Sequence, residues 1–134
     1  MKMEHQIADF LNCTSFAVAG ASANRAKYGN KVFRCFQQHG LNAVPINPGA
    51  ETIEGVRAAG SLDEINPPPQ ALSIFTPPSV TEQIVEAAAE LGVKHIWMQP
   101  GAESDTAIAT CHAADMNVIH SGPCLLVVLG YSES

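Results

Sequence analysis

The chain has 134 residues, of which 46% are hydrophobic and only 15% are charged. This length suits a single domain, since domains most often have roughly 100–150 residues, and a charged fraction below the average of about 25% argues against disorder. The net charge of −6 argues against non-specific binding to nucleic acid, and no apolar run approaches the roughly 18 residues that a membrane helix needs.

The N-terminus and the cysteines bear on the cellular compartment. The opening residues MKMEHQIADF contain no apolar region followed by a cleavage site, so no secretory signal is visible. The four cysteines, Cys13, Cys35, Cys111 and Cys124, have no metal-ligand spacing. The sequence therefore predicts a reduced, cytoplasmic protein without a metal site.

Short apolar runs alternate with stretches of helical periodicity along the chain. Gly, Pro and Asn residues separate them, as in the Asn47-Pro48-Gly49 turn, and Ser79 with Glu82 forms a possible capping box. The predicted elements, in chain order, are a short helix containing Ile7, Phe10 and Leu11; strand Phe16–Ala19; helix 29–39; strand Ala43–Ile46; an edge strand near 54–57; a short helix 62–65; strand 71–75; a helix from Ser79 to Gly92; strand His95–Met98; a helix from Ser104 to about Asn117; strand 118–120; and a short helix Leu125–Leu129.

This alternation predicts right-handed βαβ crossovers and a Rossmann-like, doubly wound parallel sheet with helices on both faces, in one α/β/α domain over residues 1–134. The expected strand order is 3-2-1-4-5-6, with Phe16–Ala19 as the first strand and 71–75 as the fourth. These two strands then flank the topological switch point, where such sheets bind ligands beyond the carboxyl ends of their strands. The expected ligand loops are 20–29 and 76–79, together with 47–49 and 99–101.

Basic residues cluster near the first of these loops. Arg25, Lys27, Lys31 and Arg34 are four of the seven basic residues, and no Asp or Glu occurs from residue 10 to residue 50. That segment carries +4 and the remainder carries −10. The pattern favours a site for a small anion over a broad polyanion surface, while chance clustering of solvated side chains remains the alternative. We expect Arg34 to point to solvent.

The first loop has features of a phosphate site. Gly20 permits a sharp turn, and Gly29 opens a helix whose free N–H groups favour a phosphate. Two features of a dinucleotide site are missing, however. Ser22 stands where the second glycine of the G-x-G-x-x-G pattern belongs, and Asn47-Pro48 stands where an acidic residue would hold the adenosine ribose. The loop therefore suggests a nucleotide, and these details argue against NAD.

Several motifs together resemble the small CoA-binding domain proteins, which are similar to the N-terminal domain of the succinyl-CoA synthetase alpha subunit. The resemblance covers roughly residues 7–129. It implies a domain that binds CoA or an acyl-CoA and has no established catalytic residue. The motifs are Val18-Ala19-Gly20-Ala21-Ser22, Lys27-Tyr28-Gly29, Val44-Pro45-Ile46-Asn47-Pro48, Phe75-Thr76-Pro77-Pro78, Trp97-Met98-Gln99-Pro100-Gly101 and Cys124.

The resemblance also implies which residues contact the ligand. Thr76 departs from the pattern, because relatives often carry Arg there, and Gly122-Pro123 stands where they tend to have a charged residue. The implied positions are the diphosphate site with Gly20, Ser22, Lys27 and Tyr28; the adenosine end with Asn47 and Pro48; the pantetheine border with Thr76, Pro77, Pro78 and Val80; and the wall towards the thiol with Gln99, Pro100 and Gly101. The other candidate binding residues are Ala21, Arg25 and Gly29 of the first loop and Cys124.

Other functions remain open at this stage. One is an NAD(P)-dependent oxidoreductase-like domain, and another is a regulatory or scaffold domain with CoA as effector. His120 and Cys124 could form a Cys–His pair, although a packed strand-end histidine is the more ordinary interpretation. Cys124 could also form a mixed disulfide with CoA. We expect a non-catalytic protein with a small nucleotide ligand and no nucleic-acid or membrane partner.

Overall fold

A computed structural model describes residues 3–133; Met1, Lys2 and Ser134, which belong to the predicted 1–134 domain, lie outside the described residues. The strands are β1 Phe16–Ala19, β2 Ala43–Ile46, β3 Thr52–Ile53, β4 Val56–Arg57, β5 Ala71–Ile74, β6 His95–Met98 and β7 Asn117–Ile119. Five of them form a parallel main sheet in the order β2-β1-β5-β6-β7. A separate hairpin pairs β3 with β4 in antiparallel fashion.

The helices connect the parallel strands as the alternation predicts. The α-helices are α1 Met3–Leu11, α2 Tyr28–Gln38, α3 Pro78–Leu91, α4 Asp105–Ala113 and α5 Leu125–Leu129, and a 3₁₀ helix spans Leu62–Glu64. Glycine ends α3, since Gly92 adopts a left-handed conformation with φ of 81°.

The strand residues alternate between two apolar layers, one on each face of the sheet. Ala17 and Ala19 of β1 belong to the layer under α3 and α4, which also contains Val85 and Cys111. Phe16 and Val18 belong to the opposite layer, which contains Phe10 of α1, Phe33 of α2 and Leu125 of α5. Because both faces are covered, the parallel strands are mostly apolar, as is usual for buried parallel strands, and Ser73 in β5 is a buried polar exception. This confirms the Rossmann-like α/β fold.

The predicted edge strand near 54–57 is only partly correct, because Val56–Arg57 is a strand but pairs with β3 instead of the main sheet. Glu54 and Gly55 both have positive φ, at 49° and 80°, so the chain reverses there and forms the β3–β4 hairpin. A single parallel bridge, Ile46↔Ala59, is all that extends the sheet beyond β2 in the described chain. The order is therefore the predicted one without its third strand.

The capping box predicted from Ser79 and Glu82 is not formed at the start of α3. Helix α3 begins at Pro78 behind Pro77, with no side-chain cap, and Glu82 instead accepts a hydrogen bond of 2.7 Å from Ser104 Oγ. Proline at the first position supplies the helical φ without needing a capped N–H. Ser104 does cap α4, because its Oγ accepts from the Ala107 N–H at 3.1 Å. That helix ends at Ala113, earlier than predicted.

The described helices are all too short or too polar to traverse a lipid bilayer.

Candidate functional site

The loop after β1 packs against its neighbours at two glycines. Gly20 has φ of 86°, and a Cβ placed on it would lie 1.9 Å from the Phe75 carbonyl oxygen. A Cβ on Gly29 would lie 1.9 Å from the carbonyl oxygen of Gly20. The end of β1, the end of β5 and the first turn of α2 therefore meet backbone to backbone. This is the close approach that glycine permits at the switch point of a doubly wound sheet.

The amide side chains of buried Asn30 and half-buried Asn47 hold this loop in place. Asn30 is fully buried and donates from Nδ2 to the Ser22 carbonyl at 2.8 Å. Asn47 donates from Nδ2 to the Ala21 carbonyl at 2.9 Å, while its Oδ1 accepts from the Gly49 N–H at 2.7 Å. Asn47 thus ties the loop after β1 to the loop after β2.

The cations of the basic segment are mostly paired. Arg25, although exposed, forms a two-pronged ion pair with Glu54, with contacts of 2.7 and 3.2 Å. Lys31 Nζ lies 2.6 Å from a carboxylate oxygen of Glu133. Lys27, exposed at the N-terminal end of α2, has no ion-pair partner within residues 3–133. It is therefore the cation of this segment that is free to meet an anion.

Arg34 does not point to solvent, so that prediction is wrong. Its side chain is only 7% exposed, and Nε donates to Asn30 Oδ1 at 2.8 Å. Its guanidinium lies over the ring of Tyr131, 5.4 Å from the ring centre. Arg34 joins α2 to the C-terminal segment and does not belong to a ligand surface.

Glu54 is the acidic centre of this network. Its carboxylate accepts hydrogen bonds from the Arg25 guanidinium and from Asn30 Nδ2, the latter at 2.9 Å. These hydrogen bonds hold the pKa of Glu54 down at about 2. The tip of the β3–β4 hairpin is thereby fastened to the loop that precedes α2.

A cleft of about 500 Å³ opens beside this loop, at the carboxyl ends of β1, β2 and β5. Five predicted site residues line it, namely Gly20, Asn47, Pro48, Thr76 and Val80. Sequence reasoning missed the rest. Gln83 and Ala87 follow Val80 at helical spacing and could have been found from that period, whereas the 3₁₀ segment has no regular pattern. The missed lining residues are Ala19, Ile46, Gly60, Ser61, Leu62, Asp63, Gln83, Ile84 and Ala87.

A second group of predicted residues meets around Tyr28. The Tyr28 ring packs on Phe75 with ring centres 4.6 Å apart, and its hydroxyl contacts Cys124 Sγ. The hydroxyl also donates to Gln99 Oε1 at 3.3 Å. Burial and the neighbouring Cys124 raise the pKa of Tyr28, so the phenol stays neutral and remains available as a donor.

Gln99 is buried, and its amide is engaged on both sides by the protein. Oε1 also accepts from the Leu125 N–H at 2.9 Å, and Nε2 donates to Ser73 Oγ at 3.1 Å. Gln99 therefore orients Tyr28 and the start of α5. The neighbouring Pro100 and Gly101 are exposed, as are Pro77 and Pro78 at the start of α3.

The Cys–His pair considered above is not formed. His120 Nδ1 bonds to Ser121 Oγ, while Cys124 Sγ meets the Tyr28 hydroxyl. Within residues 3–133, no three His, Cys, Asp or Glu side chains converge as a metal site would require.

Comparisons with known proteins agree with this architecture. A curated Bacillus subtilis (strain 168) protein, "Uncharacterized protein YneT", is 30% identical over 95 residues, which cover 68% of this chain and 67% of that protein. A solved structure of a conserved hypothetical protein from Pyrococcus furiosus superimposes with a TM-score of 0.80 at 33% identity, covering 85% of this chain and 97% of that one.

An enzyme subunit also contains a similar segment. The alpha subunit of acetate–CoA ligase (ADP-forming) II from Pyrococcus furiosus is 32% identical over 88 residues. The match covers 65% of this chain but only 19% of that subunit. The family model described as "CoA binding domain" matches residues 14–130. The chain therefore belongs to the CoA binding domain family.

Proposed function

We propose that this protein binds CoA or an acyl-CoA at the carboxyl edge of its parallel sheet. The observation that carries the proposal is the junction of Gly20, Gly29 and the Phe75 carbonyl, which opens directly onto the cleft at the switch point. Membership of the CoA binding domain family supports a CoA-related ligand.

The residues of the cleft suit the adenosine end of such a ligand. Ile46, Leu62 and Ile84 offer apolar surface to a purine, while Asn47 and Ser61 bring polar atoms. A volume of about 500 Å³ lies within the roughly 300–1,000 Å³ of small-molecule sites. The diphosphate would meet the first N–H groups of α2 and the ammonium of Lys27.

The remaining arm of the ligand would run along the start of α3. Thr76, Pro77 and Val80 border this path, and the Tyr28–Cys124 contact is proposed to receive the thiol end. Thr76 Oγ1 lies 2.7 Å from Thr81 Oγ1, so its hydroxyl has a partner within the protein. We propose a binding role without catalysis, because Cys124 faces a neutral phenol instead of a base.

The experiment is native mass spectrometry of freshly purified protein, followed by titration with CoA, acetyl-CoA and NAD. A co-purified or added mass of CoA or an acyl-CoA is expected. Retention of NAD in preference to both CoA compounds would refute the proposal and favour the oxidoreductase-like alternative. The regulatory alternative shares the CoA ligand and differs in requiring a protein partner, which pull-down with and without CoA would reveal.

A further inference from the structure

Asp63 is the acidic residue of the cleft. Of the described residues that line it, Asp63 alone carries a formal charge. Its Oδ1 accepts a hydrogen bond from Ser61 Oγ, so the carboxylate is oriented by the residue before the 3₁₀ helix. Both residues line the cleft.

The neighbouring charges lie outside this cleft. Glu64, the next residue, accepts the Gly60 N–H at 2.9 Å and lines a separate groove together with Arg57. Arg25 is held by Glu54. Asp63 therefore faces the cleft without a cation among its described lining residues to offset its charge.

This placement supplies a group that β2 lacks. In dinucleotide-binding sheets an acid at the end of the second strand accepts the adenosine ribose hydroxyls. Here Asn47 and Pro48 occupy that strand end, and Asp63 comes to the same cleft from the 3₁₀ helix. The absence of an acid at the end of β2 therefore no longer counts strongly against NAD, because the cleft contains a carboxylate from another element.

We propose that Asp63 makes this site selective for adenosine ligands whose ribose hydroxyls are unphosphorylated, an inference that rests on the proposed function. A carboxylate accepts hydrogen bonds from free hydroxyls. It repels a phosphate monoester dianion at the same place, and two like charges a few ångströms apart still repel each other although Asp63 is exposed to solvent. CoA carries a 3′-phosphate on its ribose, and 3′-dephospho-CoA differs from it only there.

The test compares CoA with 3′-dephospho-CoA by isothermal titration calorimetry. The wild-type protein is expected to bind 3′-dephospho-CoA about 10-fold more tightly. Asp63→Asn keeps the size of the side chain and an oxygen for Ser61, so it is expected to fold. In this variant CoA binding should strengthen and 3′-dephospho-CoA binding should weaken. The ratio of the two dissociation constants should therefore fall to about one.

Glu86→Gln is the matched control. Glu86 is an exposed residue of α3 and does not line the cleft, so its replacement removes the same charge elsewhere. The control should keep the wild-type ratio. Equal binding of both compounds by the wild type, or an unchanged ratio in Asp63→Asn, would overturn the role of Asp63 while leaving CoA binding intact. If neither compound binds, the proposed function itself is refuted and this inference with it.

Discussion

Single glycines determine whether the ligand loop can close on the sheet. Gly20→Ala would force a side chain into a left-handed conformation and against the Phe75 carbonyl, so we expect a loss of about 3–5 kcal/mol in the free energy of unfolding. Gly40 also has a positive φ, of 68°, but a Cβ there meets nothing within 4 Å. Gly40→Ala should therefore cost only about 1–2 kcal/mol. Urea denaturation measures both, and equal losses would contradict the close packing at Gly20.

Lys27 is the cation that we expect to contact the ligand diphosphate. A charge-assisted contact contributes about 1.5–3 kcal/mol, so Lys27→Ala should weaken CoA binding roughly 10- to 100-fold. Arg34 cannot be the control, because it is buried on Asn30. Lys94→Ala is suitable, since Lys94 is exposed in a groove with Cys13 and His95, away from the cleft. Added salt should weaken wild-type binding more than that of Lys27→Ala; the same salt dependence in both would place the anion elsewhere.

Cys124 should be the cysteine that reacts with a CoA disulfide. The exchange would join Cys124 Sγ to one CoA sulfur and release the other CoA as a thiol. Burial raises the pKa of Cys35 to about 11 and that of Cys111 to about 12, so both stay protonated near neutral pH. Mass spectrometry should find one CoA adduct, lost in Cys124→Ser and kept in Cys13→Ser, where the other half-buried thiol is removed. An adduct on Cys35 instead would show that the thiol end of CoA does not lie at Cys124.

At the scale of elements, the β3–β4 hairpin fastens the ligand loop through Glu54, and this gives a pH-dependent stability. The pKa of Glu54 is about 2 in the folded protein against an ordinary 4.5. The unfolded chain therefore binds more protons between these values. The contribution is complete above about pH 4.5, and it is lost as the pH falls towards 2.

Glu54→Gln should be less stable than the wild type at pH 7, and the difference should shrink as the pH falls from 4.5 to 2.5, within the window set by the folded and ordinary pKa values. Urea denaturation at several pH values follows this difference. Glu51→Gln, which removes an exposed carboxylate of the same segment, controls for the loss of one charge. A constant difference between wild type and Glu54→Gln across this range would show that the carboxylate is not stabilised as described.

The elements that sequence predicts well are those defined by local signals. The strands Phe16–Ala19, Ala43–Ile46 and His95–Met98 have the predicted bounds, because each is an apolar run next to Gly, Pro or polar residues. The hairpin was missed because its turn uses Glu54 at a positive φ, which non-glycine residues seldom adopt. No local sequence pattern predicts a positive φ at this glutamate.

Long-range contacts explain the errors within the site. Arg34 is buried because Tyr131 and Glu133, far along the chain, return to α2. Asp63 enters the cleft because a segment without periodicity folds beside β2. The loops after β1, β2 and β5 were predictable from topology alone, since parallel strands bring their carboxyl ends to one edge.

At the scale of the whole molecule, the ligand is expected to join separate parts of the fold. The cleft is built from the ends of β1, β2 and β5, the 3₁₀ helix and α3, and Tyr28 links α2 to Gln99 after β6 and Cys124 after β7. A ligand that spans these elements binds to the folded chain and not to the unfolded chain. Its binding free energy therefore adds to the stability of the whole fold.

CoA should accordingly raise the Tm more than NAD does at equal concentration. At 100 times its Kd, CoA should add about 2.7 kcal/mol, or roughly 10 °C for a domain of this size. Asp63 favours the free ribose hydroxyls of NAD over the 3′-phosphorylated ribose of CoA, so the advantage of CoA must arise beyond the diphosphate. There Phe75, Pro77 and Val80 offer apolar surface to a pantetheine arm, whereas the second ribose of NAD needs polar partners. Differential scanning fluorimetry with CoA, NAD and Lys27→Ala as the weakened variant measures the shifts; an equal or larger shift with NAD would exclude the proposed selectivity.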